Sequence, residues 1–363
     1  MSVIIFLIIL SVLVFVHELG HFLFAKWCGI RVDSFAIGFP PTILKKKKGE
    51  TTYKINILPL GGYVSIYGEN YDTLDPADKD YGRSFVMKKP WQQLLVLLGG
   101  ILFNFIFAFL ILTMVGWIGA PAVVDTYTPT ENYSPDVSLT IAAITPDSPA
   151  HEAELAPGDS IISASTSTQK LSAESLSIEN LTKLIRESSS DVELLVEHHH
   201  EQASLLVTPE EGFGADESRG IGIGMIYTQF TRDSFGEGII NGWKSMIGMT
   251  STVAGGLKDL VAGNARIDDL TGPVGLTGAV GQASEQGIAQ LLLLTAFISI
   301  NLALLNLIPF PALDGGRVLF VIIETITRKR IPSQVGQWVN GVGFILLMLL
   351  MLVVTVKDVI GLF

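Results

Sequence analysis

Four stretches of this chain are long and apolar enough to cross a bilayer, and they fix its class before any motif is read. A span needs roughly 20 mostly apolar residues. Ser2 to about Ala25 carries no charge before His17 and Glu18, and Pro90 to Val124 carries none at all. The other two lie between Glu285 and Asp314 and between Pro332 and Lys357. The chain of 363 residues is 48% apolar and 16% charged, against about 25% charged in soluble domains. The first stretch reads as a retained span, because a secretory signal needs a basic start and a small-residue cleavage site. No Lys or Arg precedes Lys26.

Loop charge gives the expected orientation. The segment from Lys26 to Lys89 is rich in Lys and Arg, including Lys45 to Lys48, and Arg317, Arg328, Lys329 and Arg330 follow Asp314. Short basic loops face the cytoplasm. The chain is therefore expected to place both termini outside, with a large domain outside between the second and third spans. Residues 239–263 are apolar but interrupted by Lys244, Lys258 and Asp259. They read as an amphipathic helix on the outer membrane surface. The net charge of -11 argues against a nucleic-acid partner. The single cysteine, Cys28, excludes an intrachain disulfide and a Cys-rich metal site.

Residues from about 123 to 230 read as a small soluble domain. Short β-rich runs (Leu139–Ile144, Ser160–Ala164, Val192–Val196, Ser204–Val207) alternate with turns and one helical stretch, Ile178–Glu187. Residues 144–153 and 155–161 spell a strand, a turn, a short helix and a Pro-Gly-Asp turn. His198, His199 and His200 are successive, and adjacent strand residues point to opposite faces, so they read as a solvated strand end. The expected division is 1–120, a first membrane half; 121–232, the outer domain; 233–284, a membrane-surface linker; and 285–363, a second membrane half.

The chemistry sits in the first span. His17-Glu18-Leu19-Gly20-His21 is an HExxH sequence. Residues i and i+4 share a helix face, so His17 and His21 can grip one ion, and Glu18 can reach a water beside it. Ionisable groups inside a span are costly and usually functional. Catalytic zinc takes three protein ligands, and Asp314 is the best third candidate within the membrane part. It closes the third span in Asn306-Leu-Ile-Pro-Phe-Pro-Ala-Leu-Asp314-Gly-Gly. The loop-charge orientation brings His17, His21 and Asp314 to the cytoplasmic side at similar depth.

The HExxH sequence, the Asn306–Gly316 motif and the inserted soluble domain together resemble the site-2 protease family of intramembrane zinc metalloproteases. The likeness is greatest to its bacterial regulator-of-sigma-E branch, in a form with one PDZ domain instead of two. Phe35–Phe39, Gly100-x-x-x-Asn104-x-x-x-Ala108 and Leu270–Val274 are similar to its shorter motifs, and Ile57–Val64 to its membrane-associated β-hairpin. The resemblance implies a polytopic α-helical membrane protein of four transmembrane helices, with that hairpin and an extracytoplasmic α+β PDZ-like domain. It implies Zn2+ held by His17, His21 and Asp314, with Glu18 as general base and Asn306 on substrate backbone or oxyanion. Leu58, Pro59, Gly61, Gly62 and Tyr63 would bind an unwound substrate strand. The expected partners are the lipid bilayer and pre-trimmed single-span proteins, of anti-sigma-factor type or signal-peptide remnants. The expected location is the bacterial cytoplasmic membrane. A zinc-binding scaffold and a small-ion transporter are the rival classes.

Overall fold

The computed structural model describes all residues except 70–73, 125–126, 128–133, 199–200, 215–217, 264–270 and 361–363. His199, His200 and Leu270 therefore lie outside the described residues. The chain divides into two compact units, Met1–Val115 with Phe235–Phe363, and Gly116–Ser234.

In the first unit, four helices have the length and apolarity to cross a membrane: α1 (Ser2–Trp27), α2 (Pro90–Ile118), α7 (Ile288–Leu307) and most of α9 (Ser333–Ile360). A helix satisfies its own backbone donors and acceptors, which hydrocarbon cannot do. Their outward faces are apolar, as at Ile4, Ile8, Leu110 and Leu349, while Leu13, Val96, Ala108 and Ile300 are buried. Residues 239–263 fall largely within one continuous helix, α5 (Phe235–Val261), and α6 (Pro273–Glu285) follows.

Between α1 and α2 run two long strands, β1 (Val32–Lys48) and β2 (Thr51–Ile66). Each of Ser34, Phe35, Ala36 and Ile37 has two partners, one among Gly62–Ser65 and one among Thr52–Ile55. Lys45–Lys48 in turn pair with Thr51–Lys54. The strands thus double back into a sheet of four adjacent segments, ordered 61–66, 32–39, 51–58 and 42–48, with 61–66 at one edge. The expected hairpin at 57–64 is part of this larger sheet.

The second unit is a seven-stranded sheet in the order β3-β9-β4-β5-β7-β8, with β6 beside β5. The strands are β3 (Ala120–Val123), β4 (Val137–Ile144), β5 (Ser160–Ser165), β6 (Lys170–Ser172), β7 (Val192–His198), β8 (Glu201–Val207) and β9 (Ile223–Thr231). The four β-rich runs read from sequence fall within β4, β5, β7 and β8. The helical stretch is α4 (Ile178–Glu187), capped by Ser177, whose side chain accepts from Asn180 N. A short helix, α3 (Pro149–Glu152), begins at a Ser148 cap. The core gathers Ile141, Leu181, Val192, Leu194 and Val196. His198 ends β7 and pairs with the buried Asp159, so one of the three histidines has a structural partner.

Candidate active site

The site begins where α1 and α2 touch. A Cβ on Gly20 would lie 2.2 Å from Gly99 O, and one on Gly100 would lie 2.6 Å from His17 Cε1 and from His21 Nε2. Small residues at a helix crossing let backbones approach this closely. The approach puts backbone and polar groups of α2 against the two histidines. His21 Nδ1 is 2.8 Å from Val96 O, and His17 Nδ1 is 3.2 Å from Asn104 Nδ2. Both rings turn their Nε2 atoms inward, 3.2 Å apart.

The third group arrives from the far end of the chain. Helix α7 stops at Leu307, and Ile308 is extended, as the residue before a proline tends to be. Asp314 is therefore not on the third span: it is the first residue of a separate helix, α8 (Asp314–Thr327). The connecting turn is tight. Cβ atoms on Gly315 and Gly316 would lie 2.2 Å from Ile308 O and 2.3 Å from Phe310 O. Ala312 adopts φ +73°, a left-handed conformation that costs a non-glycine residue of order 1 kcal/mol or more. Helix α9 braces this turn, since Asn340 Oδ1 accepts from Ala312 N at 3.1 Å and Gly343 packs on Pro311.

His17, His21 and Asp314 then form the group of side chains, among the described residues, able to hold a metal ion. Asp314 Oδ2 is 3.0 Å from His17 Nε2 and 3.3 Å from His21 Nε2. It is nevertheless buried without a hydrogen-bond partner. A tetrahedral ion with ligands at about 2.0–2.1 Å sets its ligand atoms about 3.3 Å apart. The triangle has that size, and an acceptor facing two imidazole nitrogens without hydrogen-bond geometry suits a shared cation. The residues fit a zinc ion.

Glu18 stands beside the triangle, its Oε2 accepting from Val64 N at 3.0 Å. A Cβ on Gly62 would contact Ala36 O at 2.7 Å and Glu18 Cγ at 3.6 Å, so the edge segment and the carboxylate lie side by side. Gly61 borders the Phe39 ring and the Val14 side chain, and Leu58 is opposite Phe39 and exposed. Tyr63 accepts a hydrogen bond from Lys54 Nζ at 3.2 Å. Pro59 belongs to the same strand. Asn306 is half-buried in the last turn of α7 and takes no part in the hydrogen bonds around the triad among the described residues. The sequence reading assigned no role to Val96, Val64 or Asn104. Backbone donors and acceptors leave no sequence signal, but an asparagine inside an uncharged span was a visible one.

Residues 5–350 match Peptidase family M50. The chain belongs to that family. Among M50-like relatives, a Clostridium perfringens protein with a provisional zinc-metalloprotease name is 35% identical, with 99% of each chain covered. The zinc metalloprotease RasP of Geobacillus kaustophilus is 30% identical over 99% of this chain and 97% of its own. The regulator of sigma-W protease RasP of Bacillus subtilis is 30% identical over 100% and 99%.

Proposed function

We propose that this chain is an intramembrane zinc metalloprotease that hydrolyses peptide bonds in the membrane-spanning segments of pre-trimmed single-span proteins. The observation that carries it is the buried triangle of His17 Nε2, His21 Nε2 and Asp314 Oδ2, with Glu18 alongside. When bound there, zinc polarises the scissile carbonyl and brings the pKa of water to about 7. Glu18 takes the proton from the attacking water and returns it to the leaving nitrogen. Asn306 hydrogen-bonds substrate backbone or the developing oxyanion. A helical substrate hides its peptide bonds in its own hydrogen bonds, so it must unwind before cleavage. The edge segment 61–66 supplies a row of backbone groups for strand addition.

The basic loops face the cytoplasm, both termini lie outside, and the site opens toward the cytoplasmic side of a bacterial inner membrane. The Gly116–Ser234 unit is a PDZ-like domain on the outer side. Among the described residues β3 pairs with Thr228–Thr231 of β9. On that side, among the described residues, Ile223–Ile226 pair with no strand, while Tyr227 O accepts from Val124 N. That stretch favours a reader of new chain ends over a pure size filter. The name of the Bacillus relative, a regulator of sigma-W protease, supports an anti-sigma factor as substrate, and remnant signal peptides suit the same site.

The test is Glu18→Gln assayed on a pre-trimmed single-span reporter, with and without a zinc chelator. The variant is expected to keep its zinc and lose cleavage, and chelation to abolish cleavage by the wild type. Cleavage that survives both treatments overturns the reading. A scaffold or transporter would leave the reporter uncut by the wild type.

A further inference from the structure

We infer that Asn104 is a positioning residue of the metal centre, fixing the tautomer and ring orientation of His17; this rests on the zinc reading above. Asn104 is fully buried in α2, where an amide without its hydrogen bonds is costly. Its Nδ2 faces His17 Nδ1 at 3.2 Å, while its Oδ1 is buried without a partner. The orientation of an amide is assigned from its hydrogen-bond network. As drawn, the amide donates to Nδ1, which makes Nδ1 the acceptor and leaves the ring proton on Nε2. That proton would point into the triangle and block a metal ion.

Turning the amide by 180° removes the clash with a metal ion and moves the unpartnered position from Oδ1 to Nδ2. Oδ1 then accepts from Nδ1–H, and the Nε2 lone pair faces the ion. His21 is already arranged this way, since its Nδ1 can only donate to the Val96 carbonyl, 2.8 Å away. The two ligands are thus oriented from one helix by two kinds of oxygen, a main-chain carbonyl and a side-chain amide. Such outer partners fix a ligating histidine and raise its basicity. Asn104 is itself held, because Ser299 Oγ of α7 donates to its main-chain oxygen at 2.9 Å. A Cβ on Gly100, one turn earlier, would occupy the space of the His17 ring, so the approach of α2 at Gly100 lets the amide reach the ring.

The experiment compares full-length wild type, Asn104→Leu, Asn104→Asp and His17→Ala, purified in detergent. It measures bound zinc and the rate of zinc loss to a chromophoric chelator. Asn104→Leu keeps the volume and removes the acceptor; it is expected to weaken zinc binding about 10–100-fold. Asn104→Asp keeps an acceptor and is expected to hold zinc well above Asn104→Leu, with a loss smaller than about 10-fold. A role in packing alone would give the opposite order, with leucine tolerated and a buried carboxylate not. Wild-type retention of zinc by Asn104→Leu, or loss from Asn104→Asp as fast as from Asn104→Leu, overturns the inference. If Asn104→Leu does not fold, Asn104→Ala is read by the same criteria. Should His17→Ala hold zinc like the wild type, the ligand assignment fails instead, so the two failures are distinguishable.

Discussion

Val64 donates its backbone N–H to Glu18 Oε2 at 3.0 Å, so the proposed general base is tied to the edge of the sheet that would receive a substrate strand. Val64 is also paired in register with Phe35 of segment 32–39. A strand added along the edge would compete for that N–H, coupling substrate docking to the position of the carboxylate.

Removing this N–H should therefore slow turnover without emptying the site. Proline is tolerated on an edge strand where its nitrogen faces away from the ladder. Val64→Pro is expected to lower kcat by up to about 100-fold, the scale of a small misplacement of a catalytic group. Val64→Ala should stay near wild type. Zinc content, measured in parallel, should be unchanged in both. Equal activity of the two variants would show that the contact is incidental.

The α1–α2 crossing predicts a sharp positional effect of one methyl group. Gly100→Ala places a Cβ 2.6 Å from both histidine rings, and overpacking of this kind costs about 1–3 kcal/mol. Thermal unfolding should shift down and bound zinc should fall. Gly248→Ala on α5, where a Cβ meets nothing within 4 Å, is the control; it should leave bound zinc unchanged and should not lower the unfolding temperature, since alanine is the better helix former.

An ion cluster near the turn between β1 and β2 sets a pH dependence outside the membrane. Glu50 accepts from Lys26 Nζ at 2.6 Å and from Arg83 at 2.8 and 2.9 Å. The Arg83 guanidinium first, and the Lys26 ammonium second, bring its pKa down to about 2. A carboxylate depressed in the folded state stabilises above its unfolded pKa of about 4.3 and loses that contribution as pH falls through the folded value. Wild type should thus unfold at a higher temperature than Glu50→Gln at pH 6. The gap should close between about pH 4 and pH 2. A gap that persists unchanged at the acid end would assign the difference to packing.

The stretch Ile223–Ile226 of β9, unpaired on one side among the described residues, predicts recognition of chain ends. A fluorescent peptide with a free α-carboxylate should bind the full-length protein, and its amidated counterpart should bind several-fold more weakly, as expected for carboxylate capture beside strand addition. Fluorescence anisotropy separates the two. Failure of both peptides to bind would leave the domain as a size filter.

The four spans were legible because a bilayer demands length and apolarity, and each observed helix falls largely within its stretch, although α2 and α7 end short of the limits read from sequence. His17, Glu18 and His21 were legible because helical spacing puts the histidines on one face. Asp314 was expected at the end of the third span and stands at the head of a separate helix. The physical reason is Pro309 and Pro311, which end α7 early. The doubled-back sheet was not legible, since Phe35 alternates for two partners, Val64 and Tyr53, whose separation in sequence says nothing of adjacency. Nor could the sequence place Asn104 opposite His17. That juxtaposition follows from the depth at which Gly20 and Gly99 let two helices cross, a property of packing.

The brace that α9 gives to Ala312 and Pro311 has a consequence in time. The two histidines are made first, and Asp314 follows almost 300 residues later. Its turn is steadied by Asn340 and Gly343 of α9, made later still. At about 5–20 residues per second, roughly 15–60 seconds separate the first proposed ligand from the third. The proposed metal site can therefore be complete only after Asp314 and the helix that braces its turn have both been made.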